Sequence, residues 1–253
     1  MNTEKVEIKE LDCQQESFIS RQEIFHGEVS GVFIELISIN GPTQIKEATS
    51  CGFYDVLLSL KGNALLEIGG REHHVSSQYI ARMAYNMPYH VHIRKGDRFH
   101  FLRLRKSLDQ DDREAILQDI DSHSSVYIRA FEDCSSYTEA IKSSKAVNRM
   151  LLPEGMVPRF CMGSVETEGP DLVGEHEHSM LDQLFFGLED CKCTCVADGE
   201  KKVLTENMVL HIPFGSKHSV LVEERDRLAY IWLDFFLTLE GQKYMNEQHK
   251  SEA

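Results

Sequence analysis

An internal repeat is the feature of this sequence that most limits the folds available to it. Gly41-Pro42 matches Gly169-Pro170 when the chain is shifted by 128 residues, which is the separation of the two glycines. The same shift places residues 55–58 on residues 183–186. Self-similarity at a fixed offset indicates that one structural unit is repeated. We therefore predict two copies of one small domain.

Each repeat is rich in short apolar segments of the kind that form β-strands. These segments contain many Val, Ile, Leu, Phe and Tyr residues and are separated by Gly, Asn, Asp or Pro. Residues 32–39, 54–60, 64–68, 181–188 and 228–235 are examples. A barrel or jelly roll protects the edges of so many short strands. We therefore predict one β-barrel per repeat.

The segment between the repeats differs in composition and predicts a helical connection. Residues 109–120 and 137–142 have the pattern of short amphipathic helices with an acidic side. The predicted organisation is an N-terminal arm (1–19), a first barrel (20–106), a helical linker (107–147), a second barrel (148–236) and a C-terminal tail (237–253).

The charge and composition of the chain exclude two classes of partner. With a formal net charge of −14, the chain repels nucleic-acid phosphates and anionic lipid surfaces. Its apolar runs fall well short of the roughly 20 residues that span a bilayer, and residues 1–10 lack a signal-peptide pattern. The seven cysteines show no disulfide framework, which favours a reducing compartment. We expect a cytoplasmic protein without nucleic-acid or membrane partners.

Four side chains of the second repeat have the spacing of a metal site. His176 and His178 are one residue apart, so in a strand both imidazoles point to the same face. Gln183 begins the next apolar segment, and His218 follows a Pro-x-Gly turn that fixes its loop. Three imidazoles and an amide oxygen suit a divalent ion and leave positions for water or substrate. Asp182 is the alternative fourth ligand and would add one carboxylate.

These motifs resemble those of the cupin family, which have the forms Gly-x₅-His-x-His-x₃₋₄-Glu and Pro-x-Gly-x-x-His. The residues that match as they stand are His176, His178, Pro213, Gly215 and His218. Gln183 replaces the usual acidic ligand. The resemblance implies an all-β fold of two tandem cupin (double-stranded β-helix, or jelly-roll) barrels joined by a short helical linker. It also implies a homodimer and one divalent metal ion, Fe, Mn, Ni or Zn, in the second barrel.

The first repeat lacks two of the four ligands. The shift of 128 residues places Ala48 and Ser50 at the positions of the His-x-His pair, while His90 matches the last histidine and Asp55 matches the glutamine. We therefore expect weak or no metal binding in the first barrel. Its histidines are then surface or cavity residues, with a small-ligand pocket of Asp55, His90 and Arg103 as the alternative.

Arg159, His211, Tyr230 and Trp232 are the candidates for substrate contact or catalysis near the ion. Arg159 would bind a carboxylate if residues 157–161 form a strand that directs its guanidinium into the cavity. The alternative interpretation of Tyr230 and Trp232 is that they are ordinary core aromatics.

Three functions are compatible with this site. An uncharged ligand set leaves the ion its full charge, which favours Lewis-acid chemistry of isomerase, tautomerase or lyase type on a small anionic or sugar-acid-like substrate. The alternatives are an Fe(II)-type dioxygenase and a non-catalytic small-ligand binding or sensor module. A sensor would signal by protein contact, because no helix-turn-helix pattern with a basic recognition helix flanks the barrels.

Overall fold

The chain folds into two compact units that are rich in β-strands. The structure, a computed structural model, describes residues 6–10, 18–24 and 27–244. The first barrel lies within Asp12–Asp133, and the second within Cys134–Ala253 together with Met1–Leu11. The all-β fold class predicted from the strand pattern is confirmed. Within the described part of the chain, no helix is long and apolar enough to cross a membrane.

The first barrel consists of a six-stranded and a four-stranded antiparallel sheet. In the first half of the chain the strands are β1 (Ile8–Glu10), β2 (Ile19–Ile24), β3 (Val32–Asn40), β4 (Thr43–Glu47), β5 (Phe53–Gly62), β6 (Ala64–Ile68), β7 (Arg71–Val75), β8 (Tyr79–Arg82), β9 (Tyr89–Ile93), β10 (Arg98–Ser107) and β11 (Tyr127–Ala130). The large sheet has the order β11-β8-β5-β10-β3-β2, and the small sheet has the order β4-β9-β6-β7. Buried side chains from both sheets, among them Phe101 and Val91, form one core.

The second barrel has a seven-stranded and a four-stranded sheet. Its own strands are β12 (Ser135–Tyr137), β13 (Val147–Val157), β14 (Phe160–Glu168), β15 (Asp171–His176), β16 (Leu181–Gly187), β17 (Lys192–Ala197), β18 (Glu200–Thr205), β19 (Met208–Ile212), β20 (His218–Val222) and β21 (Arg227–Phe236). The large sheet has the order β1-β19-β16-β21-β14-β13-β12, and the small sheet has the order β15-β20-β17-β18. The N-terminal strand β1 therefore belongs to this barrel, where Ile8 pairs with Leu210.

The segment 107–147, predicted as a helical linker, contains both helices and strands. Helices α1 (Gln110–Gln118) and α2 (Ile120–Ser124) follow Asp109, which caps α1 in a capping box with Asp112. The predicted helix at 137–142 is absent, because Tyr137 ends β12 and the residues after it form turns. A helix of six residues is marginal by itself, and here pairing of β12 with β13 takes precedence. β11 adds to the sheet of the first barrel and β12 to that of the second.

The two Gly-Pro pairs occupy equivalent turns and confirm the repeat. Gly41 lies between β3 and β4, and Gly169 lies between β14 and β15. A Cβ atom on Gly41 would lie 1.9 Å from the backbone oxygen of Arg94, and one on Gly169 would lie 1.7 Å from that of Glu223. Only glycine permits so close an approach of two backbone segments. Both turns therefore need glycine for the same steric reason.

Candidate metal centre

Three histidines of the second barrel converge on one point. His176 ends β15, His178 follows two residues later, and His218 begins β20. The ring of His176 lies 4.2 Å from that of His218 and 4.9 Å from that of His178, measured between centroids. One ring nitrogen from each histidine lies within 4.8 Å of the others. The three imidazoles are thus close enough to bind a single ion.

Backbone carbonyls orient two of these rings. The Nδ1 atom of His176 lies 2.8 Å from the carbonyl oxygen of Gly174, and that of His218 lies 3.1 Å from the carbonyl oxygen of Ser216. A ring that donates from Nδ1 has its lone pair on Nε2, which is then available as a ligand. The Nε2 atom of His218 is buried and has no hydrogen-bond partner among the described residues. A buried acceptor of this kind fits a metal ligand.

The turn before His218 also supports the site. Gly215 adopts a positive φ of 73°, which a side chain would disfavour, and its N–H donates to the carbonyl oxygen of His178 over 3.2 Å. The Pro-x-Gly motif thus connects the loops that carry His178 and His218.

Burial favours the neutral form of His176 and His218. Desolvation lowers the pKa of His218 to about 4, with a further contribution from the nearby His176. Desolvation also lowers the pKa of His176, although its hydrogen bond to Gly174 acts in the opposite direction. Neutral imidazole is the form that coordinates metal ions.

The amide of Gln183 has one satisfied and one unsatisfied end. Its Nε2 atom donates to Asp234 Oδ1 over 2.6 Å, whereas its Oε1 atom is buried without a hydrogen-bond partner among the described residues. Phe185 lies on the same face of β16, and its ring is 5.8 Å from that of His218. Gln183 therefore lies on the face of the large sheet that is directed towards the histidines. The free amide oxygen fits a fourth ligand.

Asp234 is a residue of this site that the sequence analysis missed. Burial raises the pKa of its carboxyl to about 7, while the hydrogen bond from Gln183 lowers it. Strand pairing places the two residues directly opposite each other on β21 and β16. Asp234 thus fixes which end of the amide points away from it.

Asp182, the alternative ligand, lies on the other face of β16 from Gln183. It accepts a hydrogen bond of 2.9 Å from the backbone N–H of Phe214, and its Oδ1 atom is 3.4 Å from His211 Nε2. His211 shares that face, because it pairs with Leu184. The structure therefore brings neither Asp182 nor His211 to the three histidines.

Arg159 differs from its predicted position. It lies in the turn between β13 and β14 with a φ of 57°, and its guanidinium donates to the carbonyl oxygen of Leu237 over 3.1 Å. Its backbone N–H donates to the side chain of Gln242. A strand over 157–161 with Arg159 directed into the cavity is thus wrong. The signal for a turn was Pro158, which precedes it.

Tyr230 and Trp232 lie on the inner face of β21. The Tyr230 ring is buried 4.7 Å from that of Phe185, and burial holds the pKa of its hydroxyl well above the usual value. Trp232 Nε1 donates to the hydroxyl of Tyr137 over 3.0 Å. Tyr230 is accordingly a core aromatic behind Phe185, and Trp232 connects the site to Tyr137, the last residue of β12, and so to the segment that follows it.

That segment brings two charged residues to the site. The carbonyl oxygen of Ile141 accepts a hydrogen bond of 2.8 Å from the N–H of Gly174, two residues before His176. Lys142 has a side chain that is only 6% exposed, and its Nζ atom lies 2.9 Å from Glu139 and 3.3 Å from the hydroxyl of Tyr137. The charge of Glu139 raises the pKa of His176 and that of Lys142 lowers it, although burial is the largest effect. An ion pair thus lies near enough to His176 to act on its protonation.

Strand pairing shows which residues of the first barrel correspond to these histidines. His176 lies opposite His218 in the ladder of β15 and β20, and Glu47 lies opposite Tyr89 in the ladder of β4 and β9. His218 and Tyr89 are each the first residue of their strand. Glu47 and Tyr89 thus take the places of His176 and His218. The predicted match of His90 to His218 is wrong.

Two shifts of one residue explain this error. The offset between repeats is 128 at the start of β5 and β16 but 129 at the start of β9 and β20. A bulge also adds one residue to β15 before His176. Ala48 and Ser50, predicted at the His-x-His positions, lie beyond β4, which ends at Glu47. A shift of one residue turns a side chain to the opposite face of a strand.

Ion pairs occupy the corresponding space in the first barrel. Asp55 accepts two hydrogen bonds of 2.7 Å from Arg105 and one of 3.3 Å from the hydroxyl of Tyr89. Glu47 pairs with both Arg103 and Arg21, and Arg103 also pairs with Glu35. Two guanidinium groups in this space disfavour a divalent cation. The predicted pocket of Asp55, Arg103 and His90 is not formed, because both acidic and basic members are paired elsewhere and His90 faces outward.

Comparison of the sequence with protein-family models finds no match, and comparison with curated proteins finds none. Solved structures match over nearly the whole chain. A protein described as glyoxylate-induced, from Pseudomonas aeruginosa, is 12% identical with a TM-score of 0.74 and covers 92% of this chain and 88% of its own. A cupin 2 conserved barrel domain protein from Leptotrichia buccalis is 16% identical with a TM-score of 0.62, covering 92% and 98%.

An oxalate decarboxylase from Lactobacillus farciminis, solved as a formate complex, is 9% identical with a TM-score of 0.65 and covers 94% of this chain and 87% of its own. Identities this low establish the fold alone. Together with the two barrels described above, they show that this chain has the fold of the two-domain cupins.

Proposed function

We propose that the second barrel binds one divalent transition-metal ion, Fe, Mn, Ni or Zn, and acts as an enzyme on a small anionic or sugar-acid-like substrate. The proposed ligands are His176, His178, His218 and Gln183. The observation that carries this proposal is the convergence of three imidazoles, with a buried amide oxygen on the sheet face that is directed towards them. When bound, the ion would supply Lewis-acid chemistry by polarising a carboxylate, hydroxyketone or enediolate.

The composition of the ligand cluster favours isomerase, tautomerase or lyase chemistry. Among the described residues, the cluster of His176, His178 and His218 includes no carboxylate. Asp182, which would have supplied one, lies on the other face of its strand. The arrangement of two histidines and one carboxylate that is typical of Fe(II) oxygenases is therefore not the pattern here. A neutral ligand set leaves the ion its full charge.

Lys142 and Glu139 support an anionic substrate and a proton-transfer step. The side chain of Lys142 is buried and its charge acts on His176, and a substrate carboxylate would replace Glu139 as its partner. Glu139 would then be a carboxylate that is free to accept a proton from the substrate. Lys142 thus binds the anionic group, and Glu139 moves the proton.

Replacing Lys142 with methionine is expected to weaken the binding of small carboxylates by about tenfold or more, because a charge-assisted hydrogen bond is worth roughly 1.5–3 kcal/mol. Calorimetry of the metal-loaded protein with small hydroxy- and keto-carboxylates measures this. K142R is the matched control and should retain most of the affinity. Equal loss with the uncharged amides of the same compounds would show that Lys142 does not recognise the carboxylate.

Replacing Asp234 with alanine is expected to weaken metal affinity by about tenfold or more, the usual effect of losing a partner that orients a ligand. Without Asp234, the amide of Gln183 is free to rotate. D234N retains a carbonyl oxygen that accepts from Gln183 and serves as the control. Competition with a chromogenic chelator gives the affinities, and identical values for the wild type and D234A would remove Gln183 from the ligand set.

Dioxygen consumption distinguishes the alternatives to this function. If the purified protein contains iron and takes up dioxygen when substrate is added, the protein is an oxygenase and the proposed function is wrong. If the protein binds carboxylates but does not turn them over, under either aerobic or anaerobic conditions, it is a binding or sensor module and not an enzyme.

A further inference from the structure

A second cluster of potential metal ligands lies on the outer face of the first barrel. Glu67 is on β6, and His90 and His92 are on the neighbouring strand β9. Their strand neighbours Leu66 and Val91 are buried in the core. Because side chains alternate along a strand, the glutamate and both histidines must point outward. They share one face of the sheet. They take no part in the ion pairs of Asp55 and Glu47 inside the barrel.

The register of the two strands brings the three side chains together. Glu67 lies directly opposite His90, and His92 is two residues further along the same strand. The Oε2 atom of Glu67 is 3.4 Å from His90 Nδ1 and 3.1 Å from His92 Nε2. One ligand atom from each residue lies within 4.8 Å of the others. On the adjacent strand β4, Gln44 Nε2 is 3.2 Å from His90 Nδ1.

These separations suit a tetrahedral ion. With bonds of about 2.0–2.1 Å, two ligands of tetrahedral Zn²⁺ are roughly 3.3 Å apart. The two distances from Glu67 to the histidines are close to that value. An ion between them would need only small rotations of the side chains, which are about one-third exposed. The exposure also gives the ion a route from solvent.

We propose that Glu67, His90 and His92 form a second metal site, for a divalent ion of the Zn²⁺, Ni²⁺ or Cu²⁺ class. Two imidazoles and a carboxylate are ligands that these ions accept. Three protein ligands leave a fourth position for water or a small anion. His92 also lines a cavity of about 300 Å³, together with His74 and Arg94, which provides room for such a ligand. The site does not depend on the proposed function of the second barrel.

Zinc binding to the full chain tests this proposal. In a background of H176A and H218A, which removes the site of the second barrel, Zn²⁺ is titrated against a chromogenic chelator. One site is expected, and H90A, H92A and E67Q are each expected to weaken it at least about tenfold, since even an outer partner of a ligand contributes that much. Circular dichroism verifies that these surface variants remain folded.

H74A is the matched control, because His74 is an exposed histidine on the same sheet and lines the same cavity. Its zinc affinity should equal that of the background protein. Equal affinities of H74A, H90A and H92A would overturn the proposal and leave Glu67 as an ion-pair partner of two histidines. As a second measurement, Zn²⁺ should shift the imidazole NMR signals of His90 and His92, and unchanged signals would overturn it as well.

Discussion

Replacing His218 with alanine is expected to reduce tightly held metal in the purified protein from about one ion per chain to nearly none, since removal of one of few protein ligands destroys a closed site. His218 is 1% exposed, and its Nε2 atom has no hydrogen-bond partner among the described residues. Elemental analysis after dialysis against a weak chelator measures the effect. Dialysis removes ions held by exposed groups, so the result reports the second barrel.

H176A should give the same loss, and H74A, which changes an exposed histidine of the first barrel, should give none. A His218→Ala protein that keeps a full complement of metal would refute the proposed centre. Because His218 also contacts the ring of Phe185, the thermal unfolding of each variant is compared in the presence of excess chelator. A metal ligand loses metal-dependent stabilisation, whereas a residue that acts only in packing lowers stability with or without metal.

The sequence identified the three histidines that come together, but not all of the elements that hold them. A strand was predicted to carry both His176 and His178, whereas β15 ends at His176 and His178 lies in the loop after it. The Pro-x-Gly turn before His218 is formed as predicted. The structure gathers these three residues through the β15–β20 ladder. The two barrels were predictable for a similar reason, because the Gly-Pro turns and strand pattern recur at a nearly constant offset. Local pattern and repetition therefore account for the fold class.

The sequence did not predict side chains that reach the site through long-range pairing. Asp234 is opposite Gln183 only because β21 pairs with β16, and one sequence contains no signal for that pairing. Lys142 and Glu139 were assigned to a short helix on local pattern, whereas contacts with β15 hold their segment in turns. Arg159 was misplaced for a different reason, because residues 157–161 were assigned to one strand despite the turn signal of Pro158.

The error in the first barrel arose from two shifts of one residue each, one of which concerns His218. An insertion too small to disturb the visible repeat moved the equivalent of His218 from His90 to Tyr89. The correct register shows why this barrel needs no ion at that place. Where the second barrel has imidazoles and an amide, the first has three carboxylates paired with three arginines. The two barrels thus hold the same part of the fold together in different ways.

Replacing Asp55 with alanine is expected to destabilise the first barrel by about 3 kcal/mol, because it leaves a largely buried guanidinium without its partner. The carboxylate of Asp55 is 1% exposed and the side chain of Arg105 is 23% exposed. Loss of the hydrogen bond from Tyr89 adds to the effect. Urea unfolding followed by circular dichroism reports both barrels, whereas the single tryptophan, Trp232, reports the second. The expected change is therefore an earlier transition in circular dichroism with the tryptophan transition unmoved.

Two further variants distinguish the effect of losing the ion pair from the effect of losing side-chain volume. K192A breaks the exposed pair with Asp226 and should cost less than about 1 kcal/mol. The double replacement of Asp55 with leucine and Arg105 with methionine removes both charges and should recover most of the stability, as replacing a buried pair by apolar groups often does.

If D55A costs no more than K192A, the ion pair contributes little to the barrel, and the loss of metal ligands there needs another explanation. If the double variant is as unstable as D55A, packing of the two side chains, rather than their charge, supports this end of the first barrel.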